Sequence, residues 1–384
     1  MNNIGVFAAN FNPISLDHIK FLKTIKQNFN INRIYILPIN CSKEQALNNI
    51  TIENKRKLCS MAIKNLEFIY LCEESLTENN EIFNVIKKIK SENKTANIFL
   101  IAWPPYLGYV NQLNKIYTST KIAKLAEVVS LVYFKTIGKF QEKFPQIQFK
   151  PTKIQPTFSR KLRIMIALEQ DCSAVLNKDV LNFIKNNKLY YGKESVFLEC
   201  YDVCRANTSK RRFSHCNFVA IAAEDLAKKY GENEIDAKIA GILHDLLKEK
   251  SQEYMMRIFK TYNFKLSETQ KLNPKVWHGL AGAIYIEKIL GINIKNIINA
   301  VKYHTVPRKN MSLFEKIIFM ADRISEDRKY KDVHILRKLS HKDIDLAVLY
   351  SLKNTMSTLL KKENTISMPT VECYNSLIIK KWRN

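Results

Sequence analysis

The chain is short of several features on which function often rests. No apolar run reaches the roughly 18 residues that a membrane-spanning helix needs. The opening stretch, MNNIGVFAAN, has neither the charged start nor the apolar stretch of a secretory signal, so a soluble, cytoplasmic protein is expected. Eight cysteines are scattered without CxxC spacing. That argues against a zinc knuckle or a disulfide framework and fits buried thiols in a reducing compartment. There is no internal repeat and no low-complexity linker. There is also no basic tail and no basic stripe interleaved with aromatics, so nucleic acid is not an expected partner. The net charge of +25 therefore has two readings. A basic surface concentrates anions, nucleotides among them. Yet the chain is heavy in Lys, Asn and Ile, whose codons are A/T-rich, and its dispersed lysines fit that compositional origin.

What is present divides into two patterns. The first half alternates short apolar runs, IGVFAA, RIYILPI, IFLIAW and VVSLVYF, with amphipathic stretches such as HIKFLKTIKQNF and ENKRKLCSMAIKNL. That rhythm predicts βαβ units around a parallel sheet. It ends near VLNFIKNNKLYYG, where Gly192 is a punctuation mark. From Ser195 onward the periodicity is helical, with Gly231, Gly291 and Pro307 in the gaps. The expectation is an α/β domain over 1–192 and an all-α domain over 195–384.

Histidine is scarce, seven in 384 residues, and five of them fall in the helical half between 215 and 334. His215, His244, His278 and His304 lie in helical patterns or at their ends. His244 is followed by Asp245, and Asp322 sits inside the apolar stretch IIFMADRI. A carboxylate there is costly to bury unless a metal or another cation meets it. Imidazole with carboxylate suits Fe, Mn, Co or Zn. His215, His244, Asp245 and Asp322 can hold one ion, and His278 and His304 a second, with Asp245 bridging. Two such ions about 3.5–4 Å apart activate water and neutralise a phosphoryl group. A lone helical histidine is usually an ordinary hydrogen-bonded residue. The order H…HD…H…H…D across one helical half is what favours the metal. His334 and His341, in a polar stretch, read as surface residues.

The segments RRFSHCNFVAIAAEDLAKKYG, KIAGILHDLLKE, WHGLAGAIYIEKILGI, NAVKYHTVPRKNMSLFEKIIFMADRI and PTVECYNSL together resemble the HD-domain phosphohydrolases of the YqeK type, the symmetrical diadenosine tetraphosphatases. The resemblance implies an all-α HD fold, a di-iron or similar centre, and hydrolysis of diadenosine tetraphosphate to two ADP. It carries His215, His244, Asp245, His278, His304 and Asp322 over as metal ligands. It makes Lys248 a candidate phosphate partner and places Arg212, Arg308 and Arg328 to grip polyphosphate. Asp245, Lys248 and Arg308 are the expected catalytic groups, with Arg212 and Arg328 binding the nucleotide. Pro307 stands where the family tends to have glycine, a departure from its pattern in that loop.

The stretch GVFAANFNPISLDHIKFL (5–22) resembles the opening of the NadD-type nicotinate-mononucleotide adenylyltransferases, whose signature is close to GxFxPxHxGH. Gly5, Phe7, Phe11, Asn12 and Pro13 remain, but Ser15 replaces the first histidine, Asp17 replaces the glycine, and only His18 survives. Asp17 places negative charge where a triphosphate would rest. Ala102, Trp103 and Pro104 break the later acidic strand end, and FSRKLR keeps only Ser159 and Arg163 of a third motif. The resemblance implies a nucleotidyltransferase fold with an eroded site, in which His18, Ser159 and Arg163 are the remaining nucleotide-binding candidates. Docking, dimerisation or weak nucleotide holding is the expected role of this half.

The expected partner is a dinucleoside polyphosphate, with no membrane association and a homodimer left open. Other expectations stay open beside this one: an HD hydrolase of a dNTP or a guanosine alarmone, a bifunctional protein that keeps adenylyltransferase activity, or a basic nucleotide- or RNA-binding protein.

Overall fold

The computed structural model describes residues 2–39, 50–72, 81–101, 129–132 and 159–383. The chain divides into two compact units, Met1–Tyr191 and Gly192–Asn384.

The first unit is built on β1 (Asn3–Ala9), β2 (Arg33–Pro38), β3 (Ile69–Leu71), β4 (Asn97–Ile101) and β5 (Val129–Val132). Among the described residues every pairing is parallel, and the strand order is β3-β2-β1-β4-β5. This is the doubly wound arrangement, with the first strand at its centre. Alternation along β1 explains both faces. Phe7 and Ala9 point into one core with Phe21, Leu22, Ile25 and Leu58, while Ile4 and Val6 point into another with Val85, Ile86 and Ile98. The helices that cover the faces are α1 (Leu16–Asn28), α2 (Ile52–Ile63), α3 (Glu81–Glu92), α4 (Ser159–Ala167) and α5 (Lys178–Asn186). β3 was not expected from the sequence, because three residues are too few to display a period of two. Ala102, Trp103 and Pro104 lie outside the described residues.

The second unit is helical throughout: α6 (Lys193–Asn207), α7 (Lys210–Tyr230), α8 (Glu234–Leu243), α9 (Gln252–Thr261), α10 (Glu268–Lys271), α11 (Trp277–Ile284), α12 (Lys295–Tyr303), α13 (Leu313–Ile324), α14 (Val333–Lys342), α15 (Ile344–Lys361) and α16 (Met368–Arg383). Side-chain caps start most of the longer helices. The Ser209 hydroxyl accepts from the Arg212 amide, Asn233 from Asp236, and Ser312 from Glu315 in a reciprocal capping box. α11 runs into a π-helical turn at Tyr285–Leu290. The long helical pattern of EIDAKIAGILHDLLKE is interrupted: α8 stops at Leu243 and residues 244–249 form successive tight turns. Leu246 donates to the Leu243 carbonyl and Lys248 to that of Asp245. No helix among the described residues is long and apolar enough to cross a membrane.

Candidate metal centre

The helical unit gathers six histidine and aspartate side chains at one place. His215 comes from α7, His244 and Asp245 from the turn that ends α8, His278 from the first turn of α11, His304 from the end of α12 and Asp322 from α13. All four histidines and Asp245 are buried. Ligand atoms of His215, His244 and Asp245 lie within 4.8 Å of one another, and so do those of Asp245, His278 and His304. Asp245 belongs to both groups. Asp322 flanks the first group, its Oδ1 3.1 Å from His215 Nε2 and 3.7 Å from His244 Nε2. Gly279 permits the approach of α11 to α12: a β-carbon there would lie 3.2 Å from the Val301 carbonyl and 3.3 Å from the His304 ring.

The local backbone fixes the direction of three rings. Nδ1 of His244 donates to the Gly241 carbonyl (2.7 Å), that of His278 to Lys275 (3.0 Å) and that of His304 to Val301 (2.7 Å), each three residues back. A neutral imidazole with a proton on Nδ1 presents only a lone pair at Nε2. Those lone pairs face one another and Asp245. His278 Nε2 is 3.2 Å from His304 Nε2 and 3.1 Å from Asp245 Oδ1, and His304 Nε2 is 3.4 Å from the same oxygen. His244 Nε2 and Asp245 Oδ1 are buried without a hydrogen-bond partner. Buried acceptors facing acceptors are costly unless a cation lies among them. The donor set of nitrogen and oxygen, without thiolate, fits a divalent metal.

The protonation states of His244, His278 and the two carboxylates agree with that use, and His215 differs. Burial pushes His244 down to about 4 and lowers His278 as well. Burial opposes ionisation of Asp245 and Asp322, but their contacts with the imidazoles, and with Arg328 and Arg323 at Asp322, hold both well below the usual carboxylate range. For His215, burial acts downward, but the hydrogen bonds and charges of Asp322 and Asp327 prevail and raise it.

Cationic side chains rim the cluster. Arg212 Nη1 donates to Asp245 Oδ2 (2.7 Å). Arg328 Nη2 pairs with Asp322 Oδ1 and lies 3.3 Å from His215 Nε2. Lys248 Nζ is 3.1 Å from His278 Nε2. Arg308 goes elsewhere: its guanidinium makes two bonds to the buried carboxylate of Glu315, and no described contact joins it to the cluster. Two neighbours escaped the sequence reading. Thr305 Oγ1 is 2.9 Å from His304 Nε2 and 3.2 Å from His278 Nε2. Asp327 Oδ2 is 2.7 Å from His215 Nδ1. Thr305 directly follows a candidate ligand, which was a usable signal; Asp327, in a polar turn, gave none. His334 and His341 are exposed, and His341 pairs with Asp225 at 2.8 Å.

The candidates of the first unit have structural partners. His18 is buried as the third residue of α1, where Nδ1 accepts from the Ser15 amide (3.1 Å) and meets the Ser15 hydroxyl (2.8 Å). Burial lowers its pKa to about 4, so the ring is neutral. Arg163 Nη1 donates to the Asn12 carbonyl (2.8 Å), and the Tyr190 hydroxyl donates to Asn12 Oδ1 (2.6 Å). Ser159 begins α4 and is half-buried. Lys55, absent from the sequence reading, is wholly buried, with Nζ on Asn10 Oδ1 and on the Ile39 carbonyl (3.2 Å).

Comparison with known proteins adds the following. Residues 212–327 match the HD domain family, and residues 6–159 match the cytidylyltransferase-like family. A Halalkalibacterium halodurans protein named symmetrical bis(5'-nucleosyl)-tetraphosphatase is 34% identical over 178 residues, which cover 46% of this chain and 94% of the relative. A Mycoplasma genitalium protein named probable nicotinate-nucleotide adenylyltransferase/Ap4A hydrolase is 26% identical over 370 residues, 91% of this chain and 97% of the relative. A Clostridium acetobutylicum crystal structure, described as a predicted HD superfamily hydrolase involved in NAD metabolism, is 35% identical and covers 48% of this chain and 97% of its own, with a TM-score of 0.47.

Proposed function

The chain belongs, through its helical half, to the symmetrical bis(5'-nucleosyl)-tetraphosphatases, and on that footing we propose that this half hydrolyses diadenosine tetraphosphate to two ADP at a centre of two divalent cations. The observation that carries the metal reading is the facing of buried acceptors: three imidazole Nε2 lone pairs around one ionised carboxylate. His215, His244 and Asp245, with Asp322 beside them, form one ligand group, and Asp245, His278 and His304 the other. Iron is the proposed metal, with Mn, Co and Zn served by the same donors. Bound there, divalent ions supply positive charge that activates water and offsets the phosphate oxygens.

The chain's own residues do the rest. The Nδ1–H bonds hold the rings so that binding costs no reorientation. Lys248 reaches the rim next to His278, where an ammonium meets phosphate as a point charge. Arg212 and Arg328, anchored on the two carboxylates, each keep part of the side chain exposed and can present remaining N–H groups to polyphosphate. Such donors act most strongly as charge grows on the departing ADP.

The sheet half is proposed to be catalytically silent. Its surviving motif residues are engaged in the fold: His18 in the start of α1 and Arg163 on the 12–13 turn. The name of the Mycoplasma genitalium relative favours a second reading, in which this half still transfers AMP.

Purified chain loaded with Fe(II) or Mn(II) is expected to convert diadenosine tetraphosphate into ADP alone. AMP plus ATP, or no turnover, would reject the assignment. A panel of dNTPs and guanosine alarmones separates the rival substrates, and AMP transfer to nicotinate mononucleotide tests the sheet half.

A further inference from the structure

The four rings of the centre are not supported alike. His244, His278 and His304 rest on neutral backbone carbonyls from their own local turn. His215 is the sixth residue of α7, and its Nδ1 meets a carboxylate, Asp327 Oδ2, 112 residues away along the chain. On its other side, His215 Nε2 faces Asp322 Oδ1 at 3.1 Å. Asp327 is itself held firmly. Its Oδ1 accepts from the Ser325 hydroxyl at 2.7 Å. Arg337 ties down the surrounding turn by donating to the carbonyls of Ile324 (2.9 Å), Ser325 (2.9 Å) and Arg328 (3.1 Å).

We propose that Asp327 is a positioning residue of the metal centre: its carboxylate fixes the His215 proton on Nδ1 and makes Nε2 a stronger donor than the three rings backed by carbonyls. The inference rests on the metal reading given above. An ionised acceptor polarises an N–H more than a neutral one, and the lone pair at the far nitrogen gains electron density. The two ligand groups therefore become unequal. Each group has a cation at its edge, Arg328 3.3 Å from His215 Nε2 and Lys248 3.1 Å from His278 Nε2, but only the His215 group is backed by Asp327 and flanked by Asp322. The His215 group is the tighter cation site, and Asp327 is the residue that makes it so. Because the Asp327 side chain is 29% exposed, its removal leaves no cavity in the core.

The test is divalent-ion affinity of the full chain, measured with Mn(II) in competition with a chromophoric chelator. Asp327→Ala should weaken binding by about 10–100-fold. Asp327→Asn, which keeps an acceptor but not the charge, should rescue part of that loss. The metal-free Ala variant should stay folded, with a somewhat lower melting temperature because the buried His215 N–H loses its acceptor. Wild-type affinity in the Ala variant, within roughly twofold, would overturn the proposal. If the Ala variant does not fold, Asp327→Asn decides alone: weaker binding supports the proposal, and equal binding overturns it. A wild-type chain that takes up no Mn(II) overturns the metal reading itself, and this inference with it. Uptake by the wild type with no effect of the variants removes only the inference.

Discussion

A β-carbon added to Gly241 would lie 2.6 Å from the α-carbon of Ala220 and 2.9 Å from its amide nitrogen. The backbones of α8 and α7 therefore touch where one helix ends at His244 and the other carries His215. Gly241→Ala must push these helices apart, since a backbone neighbour cannot yield as a flexible side chain can. The expected cost is about 1–3 kcal/mol or more, with weaker cation binding, because the Gly241 carbonyl also orients His244. Thermal melting and Mn(II) titration of the variant check both effects.

Asp245 is the one side chain common to both ligand groups. Asp245→Asn keeps the volume and removes the charge. Hydrolysis of diadenosine tetraphosphate should fall by more than the ~10–100-fold that loss of an outer hydrogen-bond partner costs. Metal content by elemental analysis should fall with it. A variant with full metal content and full turnover would refute the shared-ligand reading.

His18 gives a pH prediction for the first unit. Its pKa lies near 4 in the fold against 6.5 for an unperturbed imidazole, so the unfolded chain binds the proton more readily. The contribution is complete above pH 6.5 and is lost as pH falls toward 4, at most about 3 kcal/mol in all. Denaturant titrations at pH 7.5 and 4.5 should show a smaller difference for His18→Gln than for the wild type.

Arg308 is expected to act on stability. Glu315 is 1% exposed, and the Arg308 guanidinium is its charge partner as well as a neighbour of the Tyr303 ring. Arg308→Ala leaves a buried carboxylate unpaired, at a cost of about 3 kcal/mol. Adding Glu315→Gln should recover part of the loss, read as melting temperatures in a double-mutant cycle.

The features legible in the sequence were those with a period or a fixed chemical type. The β1 and β2 runs, the helical rhythm after Ser195 and the spacing of His215, His244, Asp245, His278 and His304 all announced themselves in that way. Features created by tertiary placement did not. Nothing in a polar turn marks Asp327 as the partner of a histidine 112 residues earlier. Lys55 reads as a solvated helix charge, yet it is wholly buried on Asn10 and Ile39. Arg308 has the residue type that grips phosphate, but an acidic neighbour seven positions on claims it. The end of α8 at His244 was hidden because the apolar pattern runs on through Leu246 and Leu247, which are buried in turns instead of helix.

The sheet order has a consequence for how the molecule is made. β1 is central, flanked by β2 and by β4 at Asn97–Ile101, so it is made before both of its sheet neighbours and waits for partners synthesised later. The bond from Tyr190 to Asn12 spans 178 residues and joins the last part of this unit to the first. A nascent chain therefore cannot complete this unit until Tyr190 has emerged, and a release of synthesis just short of Tyr190 should leave a species prone to proteolysis.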